Sequence, residues 1–262
     1  MTAHFSRRRF LGQGLAIGAG GIVAATALDR IWSESDPELL QKILDAGEDL
    51  NIGIERLLLP KLPRAPEFPE SAISRHFPSL GGYGATYVDK DLGFEHMAAN
   101  GFRDWSLEIN GLVNRPARFT LDEIFRMPAI STITLHACEE GWSAIGKWTG
   151  VPLSWLMLKV GVQARARFAI FHAMDRIAGK FMFGSLDIAR CLHPQTLLAY
   201  RINDQLLPVG HGAPLRLRSA LDIGYKQVKH LSRISFVSSL EEVDGGRGGL
   251  FEIYGYQNYG GF

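Results

Sequence analysis

The run Ile130-Ser131-Thr132-Ile133-Thr134-Leu135-His136-Ala137 ends on a cysteine and then changes character: Cys138-Glu139-Glu140-Gly141-Trp142-Ser143 leads into Ala144-Ile145-Gly146-Lys147-Trp148-Thr149-Gly150-Val151-Pro152-Leu153. β-Branched residues at alternate positions suit a half-buried strand. Cys138 is therefore expected at the rigid edge of a sheet, entering a glycine- and tryptophan-rich loop, the kind of place where folds carry chemistry. A lone cysteine most often packs as a small hydrophobe. Packing alone, however, does not call for two glutamates, two tryptophans and three glycines in the twelve positions that follow Cys138. A large planar ligand does, because small residues allow close approach and aromatic rings wall a pocket.

The rest of the chain bounds what that ligand is. With 262 residues, 46% of them hydrophobic, it can bury a real core and form one or two domains. The net charge of +1 is unevenly spread: Arg7, Arg8 and Arg9 are the only Lys or Arg before position 28, and without them the balance is about minus two. Nothing here suggests a nucleic-acid surface. Cys138 and Cys191 match no zinc or redox spacing, and although an oxidising compartment would permit a disulfide, the loop position of Cys138 argues for a free thiolate. Cys191, in the amphipathic run Ile188–Leu192, is expected to pack in the core. A zinc site would need two further ligands at suitable spacing beside His136 and Cys138.

Ser6-Arg7-Arg8-Arg9-Phe10-Leu11-Gly12, then an uncharged Gly/Ala-rich stretch closing on Ala25-Thr26-Ala27, reads as a twin-arginine export signal over residues 1–27. The uncharged run barely reaches the roughly 20 residues that a bilayer needs and is rich in glycine, so retention as a membrane anchor is the secondary reading. That route exports folded proteins, so a cofactor enzyme loaded in the cytoplasm and working in the periplasm is expected. Residues 28–104 are expected to hold a short helix, Ser35–Ala46, and an extended wrap punctuated by Pro60, Pro63, Pro66, Pro69 and Pro78. At its end Arg75 and His76, beside a glycine-rich turn, could contact a phosphate or pterin.

Residues 105–262 are expected to form the catalytic core. Trp105 to Gly111 alternates as a strand running into a tight turn. Thr120 and Glu123 make a capping box, and Leu153, Leu156, Met157 and Val160 make a helical apolar stripe ended by Gly161. Arg167–His172 and Leu231–Val237 read as strands, and Leu197–Leu206 as a hairpin. His172, at a strand end, is a secondary pocket candidate. Val209-Gly210-His211-Gly212-Ala213-Pro214-Leu215-Arg216-Leu217-Arg218 and Gly224-Tyr225-Lys226-Gln227-Val228-Lys229 combine imidazole, guanidinium and ammonium groups with tight glycine-proline turns. Fixed donors of this sort suit a phosphate or an oxyanion. The competing reading is that Arg218, Lys226 and Lys229 form a solvated strand face.

Two of these stretches carry a resemblance. Cys138, Glu140, Trp142, Ser143, Trp148, Gly150, Pro152 and Leu153 fit the molybdenum-ligand loop of the sulfite oxidase-fold molybdopterin oxidoreductases, and the Gly-Ala-Pro-x-Arg and Gly-Tyr-Lys-x-x-Lys runs resemble that family's second signature. The likeness begins at Trp105-Ser106-Leu107-Glu108-Ile109-Asn110-Gly111. It ends in a Gly-Tyr-x-x-Tyr tail that resembles short bacterial members, so the expectation is a catalytic domain without the immunoglobulin-like dimerisation domain of animal and plant sulfite oxidases. The resemblance implies an α+β fold of mixed sheets and short helices around one molybdenum with a single pyranopterin. It implies Cys138 as metal ligand, Arg75, His76, His211, Arg216, Gln227, Val228 and Lys229 as pterin contacts (Gln227 and Val228 by backbone), and Arg216 with His211 or His172 stabilising charge on the transferred oxygen.

Sulfite oxidases follow the cysteine with Ala-Gly-Asn-Arg-Arg, whereas this chain has Glu139, Glu140, Gly141, Trp142 and Ser143. In this it is more similar to periplasmic methionine-sulfoxide reductase catalytic subunits, whose substrate is neutral. The resemblance therefore implies a monomeric catalytic subunit that reduces an S-oxide with electrons from a membrane haem or cytochrome partner. A sulfite oxidase-like dehydrogenase and an exported metal-free binding protein are the alternatives.

Overall fold

The computed structural model describes residues 63–79, 93–177 and 179–261. The export signal, the helix expected at Ser35–Ala46 and the glycine-rich turn after Ser79 lie outside them. Ten strands follow in order: β1 (Ser106–Gly111), β2 (Ala117–Thr120), β3 (Ile130–Ala137), β4 (Ser143–Pro152), β5 (Phe168–Ile177), β6 (Lys180–Asp187), β7 (Thr196–Ile202), β8 (Gln205–Leu206), β9 (Arg216–Ser219) and β10 (Leu231–Val237). They form two sheets, one ordered β2-β1-β10-β5-β6 and the other β3-β4-β7-β8 with β9 also on β7. Only β1 and β10 pair in parallel; the other pairs are antiparallel. With its short helices, the fold is α+β of mixed sheets, as expected.

Each sheet follows from its side-chain alternation. In β1, Leu107 and Ile109 are fully buried while Ser106, Glu108 and Asn110 turn outward. β7 is buried on both faces: Leu198 and Tyr200 join the main core, and Leu197, Ala199 and Ile202 join a smaller cluster around Trp148. The main core is completed by Leu215 and Leu217, by Ile234 and Phe236 of β10, and by the helix Leu153–Val160, whose four stripe residues are all buried. Gly161 ends that helix at φ +68. Thr120 caps the helix Leu121–Phe125 with the reciprocal Glu123 bond that the sequence implies. The hairpin between β7 and β8 turns on Asn203 and Asp204, both at positive φ. Cys191 is fully buried in the core, and neither cysteine is in a disulfide.

The principal departure from the sequence reading is β4. The glycine- and tryptophan-rich stretch is not a long loop: from Ser143 it is a ten-residue strand, paired with β3 residue for residue from Ala137↔Ser143 to Ile130↔Gly150. Its inward positions include Gly146 and Gly150, which carry no side chain and so hide the alternation. Gly150 is required by packing, since a Cβ there would stand 2.2 Å from the Leu198 carbonyl oxygen. The described part of the proline-rich wrap is extended apart from a 3-10 turn at Glu70–Ala72. It lies against β3 through the Glu67↔Thr134 bridge and against β4 through Ser74, whose backbone N–H donates to Ile145 O at 3.0 Å.

Candidate active site

Alternation along β3 buries Thr132, Thr134 and His136 on one face, and Cys138 continues that face. The link to β4 is a tight turn: Cys138 N–H donates to Trp142 O at 2.9 Å, Gly141 N–H donates to Cys138 O at 3.0 Å, and Gly141 adopts φ +89. Cys138 is 4% exposed. Its thiol donates toward Glu139 Oε2 at 3.4 Å and lies 3.9 Å from Glu140 Oε2, while Trp142 Nε1 donates to Glu140 Oε2 at 2.9 Å. Burial, with the two carboxylates adding to it, pushes the thiol up to about 12. A protein-only environment thus holds the proton on sulfur, and a bound cation inverts that preference.

The facing wall is made by two short turns and β9. A turn at Val209–His211 passes through Gly212 at φ +102, and a second at Gly224–Lys226 brings Gly224 against the cysteine. A Cβ on Gly224 would stand 3.3 Å from Cys138 Cα, 3.4 Å from Sγ and 2.6 Å from Glu139 Oε2. Arg216, 2% exposed, donates to His211 O at 3.1 Å and Gln227 O at 3.2 Å, with its guanidinium 5.0 Å from the Trp148 ring centre. Lys229 Nζ donates to Gly210 O at 2.7 Å. Burial lowers Arg216 to about 10 and Lys229 to about 8. Burial, with Arg216 and Lys229, lowers His211 to about 4, so it is neutral at pH 7.

Arg216, Lys229, His211 and His136 line a narrow cleft beside Gly224, walled by Phe77 and Trp142. About 10 Å³ of it admits a water-sized sphere, so its walls rather than its volume identify it. The sequence-derived candidates divide here. Cys138, His211, Arg216 and Lys229 converge. Arg75 and His76 are exposed; the inward residue of their segment is Phe77, whose ring lies 5.7 Å from His136, 5.4 Å from Trp148 and 5.6 Å from His211. Gln227 N–H already donates to Gly224 O at 2.9 Å, and its carbonyl accepts from Arg216. Val228 is 1% exposed and packs in the main core.

His172 belongs elsewhere. It sits on β5 in the other sheet, opposite Arg233 of β10, whose Nη2 lies 3.2 Å from its Nδ1. It lines a separate surface cavity of about 380 Å³ with Glu108, Arg118, Arg233 and Phe181. The strand is legible, but it runs on to Ile177, so His172 stands in mid-strand rather than at a strand end, and the sheet it joins is not legible.

The solvated-face reading does not hold for Arg218 and Lys226, which are 0% and 1% exposed. Lys226 pairs with Glu252, itself buried. Arg218 Nη2 donates to Thr134 Oγ1 at 2.8 Å and Leu135 O at 2.7 Å, and its Nη1 donates to Gln227 Oε1 at 2.7 Å. Through these Nη1 and Nη2 bonds the buried guanidinium ties β3, just ahead of Cys138, to the Gly224–Gln227 segment. His136 was also passed over as a site residue, although its place two positions before Cys138 in a strand puts it on the same face.

These residues fit a molybdenum–pterin group. A thiol sulfur is the soft donor that such a metal accepts, and buried cations opposite suit an anionic partner. Gly212 and Gly224 are cradles that a side chain would fill, since a Cβ on Gly212 would stand 3.0 Å from Lys229 Cβ and 3.1 Å from Arg216 Cβ. One buried polar atom of the cleft, His136 Nδ1, has no hydrogen-bond partner.

The family model and the sequence relatives point the same way. The family model described as the oxidoreductase molybdopterin-binding domain matches residues 96–243. An Azospira oryzae protein, provisionally named protein-methionine-sulfoxide reductase subunit YedZ1, is 33% identical over 256 residues, covering 98% of this chain and 88% of its own length. The Xanthomonas campestris protein-methionine-sulfoxide reductase catalytic subunit MsrP is 32% identical over 150 residues, 53% of this chain and 46% of its own. Among solved structures, the sulfane dehydrogenase SoxCD of Paracoccus pantotrophus matches with a TM-score of 0.48 and 25% identity, over 53% of this chain and 40% of that one.

Proposed function

Because this chain belongs to the oxidoreductase molybdopterin-binding family, we propose that it removes the oxygen atom from an S-oxide of methionine-sulfoxide type, at one molybdenum held by a single pyranopterin and the Cys138 thiolate. It is a molybdopterin-dependent oxidoreductase. The names of the Azospira and Xanthomonas relatives support the substrate class. When bound, the group supplies the two-electron exchange by which oxygen leaves sulfur, and the protein binds, orients and tunes it.

The observation that carries the direction is the pair of carboxylates on the cysteine: Glu139 and Glu140 reach 3.4 and 3.9 Å from Sγ. Two unit charges 4 Å apart interact by about 4 kcal/mol at an effective dielectric of about 20. A sulfite dianion approaching beside this sulfur would meet repulsion from each carboxylate, falling below that figure with distance, whereas a neutral sulfoxide carries no net charge to be repelled. Arg216 and Lys229, across the cleft, favour the reverse reading of sulfite oxidation. Both, however, are aimed at backbone carbonyls of the turns they hold, an arrangement suited to cradling a pterin phosphate. Phe77 and Trp142, both half-buried, form the aromatic walls of the cleft.

The reaction consumes two electrons and two protons and releases a thioether and water. A membrane haem protein would supply the electrons, and the Arg7-Arg8-Arg9 signal supports export to the periplasm. Turnover with a reduced viologen, measured across a panel of sulfoxides, N-oxides and sulfite, tests the proposal. Activity is expected with the sulfoxides; activity only with sulfite and an electron acceptor would reverse it.

A further inference from the structure

We propose that His136 is a contact of the bound molybdenum–pterin group, offering Nδ1 to an oxygen of that group from the same strand face as the Cys138 sulfur. The inference rests on the cofactor reading above and assigns a residue that the family signatures do not mark.

Four observations converge on the ring. It is 4% exposed, yet it lines the cleft. Alternation along β3 stacks it one inward position before Cys138. Its orientation is set by packing, with the Phe77 ring at 5.7 Å, Trp142 at 5.5 Å and Trp148 at 6.2 Å. Among the described residues that line the cleft, its Nδ1 is the only buried side-chain nitrogen or oxygen without a hydrogen-bond partner. Buried polar groups are otherwise nearly always satisfied. Gln227 already hydrogen-bonds the ring, and a ring so caged cannot rotate cheaply, so a partner for Nδ1 must come to it. Arg216 and Lys229 on the facing wall select an anionic or oxygen-rich group, for which imidazole N–H is a suitable donor.

The test matures the full chain and three variants, His136→Leu, His136→Asn and His136→Gln, in one molybdenum-replete host. Molybdenum and pterin per chain, the visible absorption of the oxidised protein and its thermal melting are read on each. The Asn amide reaches where Nδ1 stands; the Gln amide reaches toward the Nε2 position instead. His136→Leu is expected to lower cofactor retention by about tenfold, the range for lost supporting contacts at metal sites. His136→Asn should restore retention and spectrum, and His136→Gln should not. A leucine variant with wild-type molybdenum and an unchanged spectrum overturns the assignment. If leucine prevents folding, asparagine and glutamine variants that behave alike overturn it equally. A wild-type protein without molybdenum would sink the cofactor reading itself, whereas a loaded wild type with indifferent variants sinks His136 alone.

Discussion

Glu139 and Glu140 set the polarity of the site at its most sensitive point, the sulfur that would hold the metal. Their effect on substrate choice is open to subtraction. In the Glu139→Gln/Glu140→Gln double variant the side-chain shapes remain and both charges go. Even a third of the roughly 4 kcal/mol per charge pair is about tenfold in binding. Sulfite should therefore inhibit sulfoxide reduction at about tenfold lower concentration than in the wild type; an unchanged inhibition constant would remove the carboxylates from the argument. At this scale the sequence was informative wherever chemistry needs an unusual residue type: Cys138, His211, Arg216 and Lys229 were all singled out and all converge. It was silent where burial decides. For Arg218 the solvated-face alternative stays open until its acceptors on β3 are seen, and His136 reads as a strand residue until its neighbours are.

At the scale of elements, local signals did well and pairing signals did not. The Thr120 capping box, the Leu153–Val160 stripe and the Gly161 stop are contained within a few residues, and each forms as expected. β4 was hidden because its glycines serve a neighbour far away in sequence: Gly150 exists for the close approach of Leu198 and Ala199 on β7. Which sheet a strand joins is set by such long-range packing, and that is why His172 could be placed on a strand but not in a pocket. Gly150→Ala should cost about 3 kcal/mol, since the added Cβ would press on backbone atoms that cannot give way. Thr120→Ala should cost about 1 kcal/mol through the lost cap. Urea unfolding midpoints would rank the two, and a Gly150→Ala protein as stable as Thr120→Ala would contradict the packing account of β4.

For the molecule as a whole, buried imidazoles govern stability in acid. Burial lowers His172 and His230 to about 4 each, against an ordinary value of 6.5. Between pH 6.5 and 4 the unfolded chain takes up these protons and the folded chain does not, so stability falls as the pH falls. Asp175 works against this: burial raises it to about 6, so over roughly the same window the folded chain binds its proton and the unfolded chain does not. His211, also lowered to about 4, acts in the same sense, so three histidines outweigh the one aspartate and melting temperature should drop from pH 6.5 to pH 4; a flat or rising profile would contradict the buried-neutral assignment. The central claim is that the Cys138 sulfur holds molybdenum in a centre that takes oxygen from sulfoxides. The most direct test is methionine-sulfoxide-dependent oxidation of a reduced viologen by the wild type and by Cys138→Ser, with molybdenum per chain and melting temperature measured on both. The wild type should carry about one molybdenum and turn over, and the variant should fold yet lose turnover; a serine variant that still reduces the sulfoxide would contradict the account.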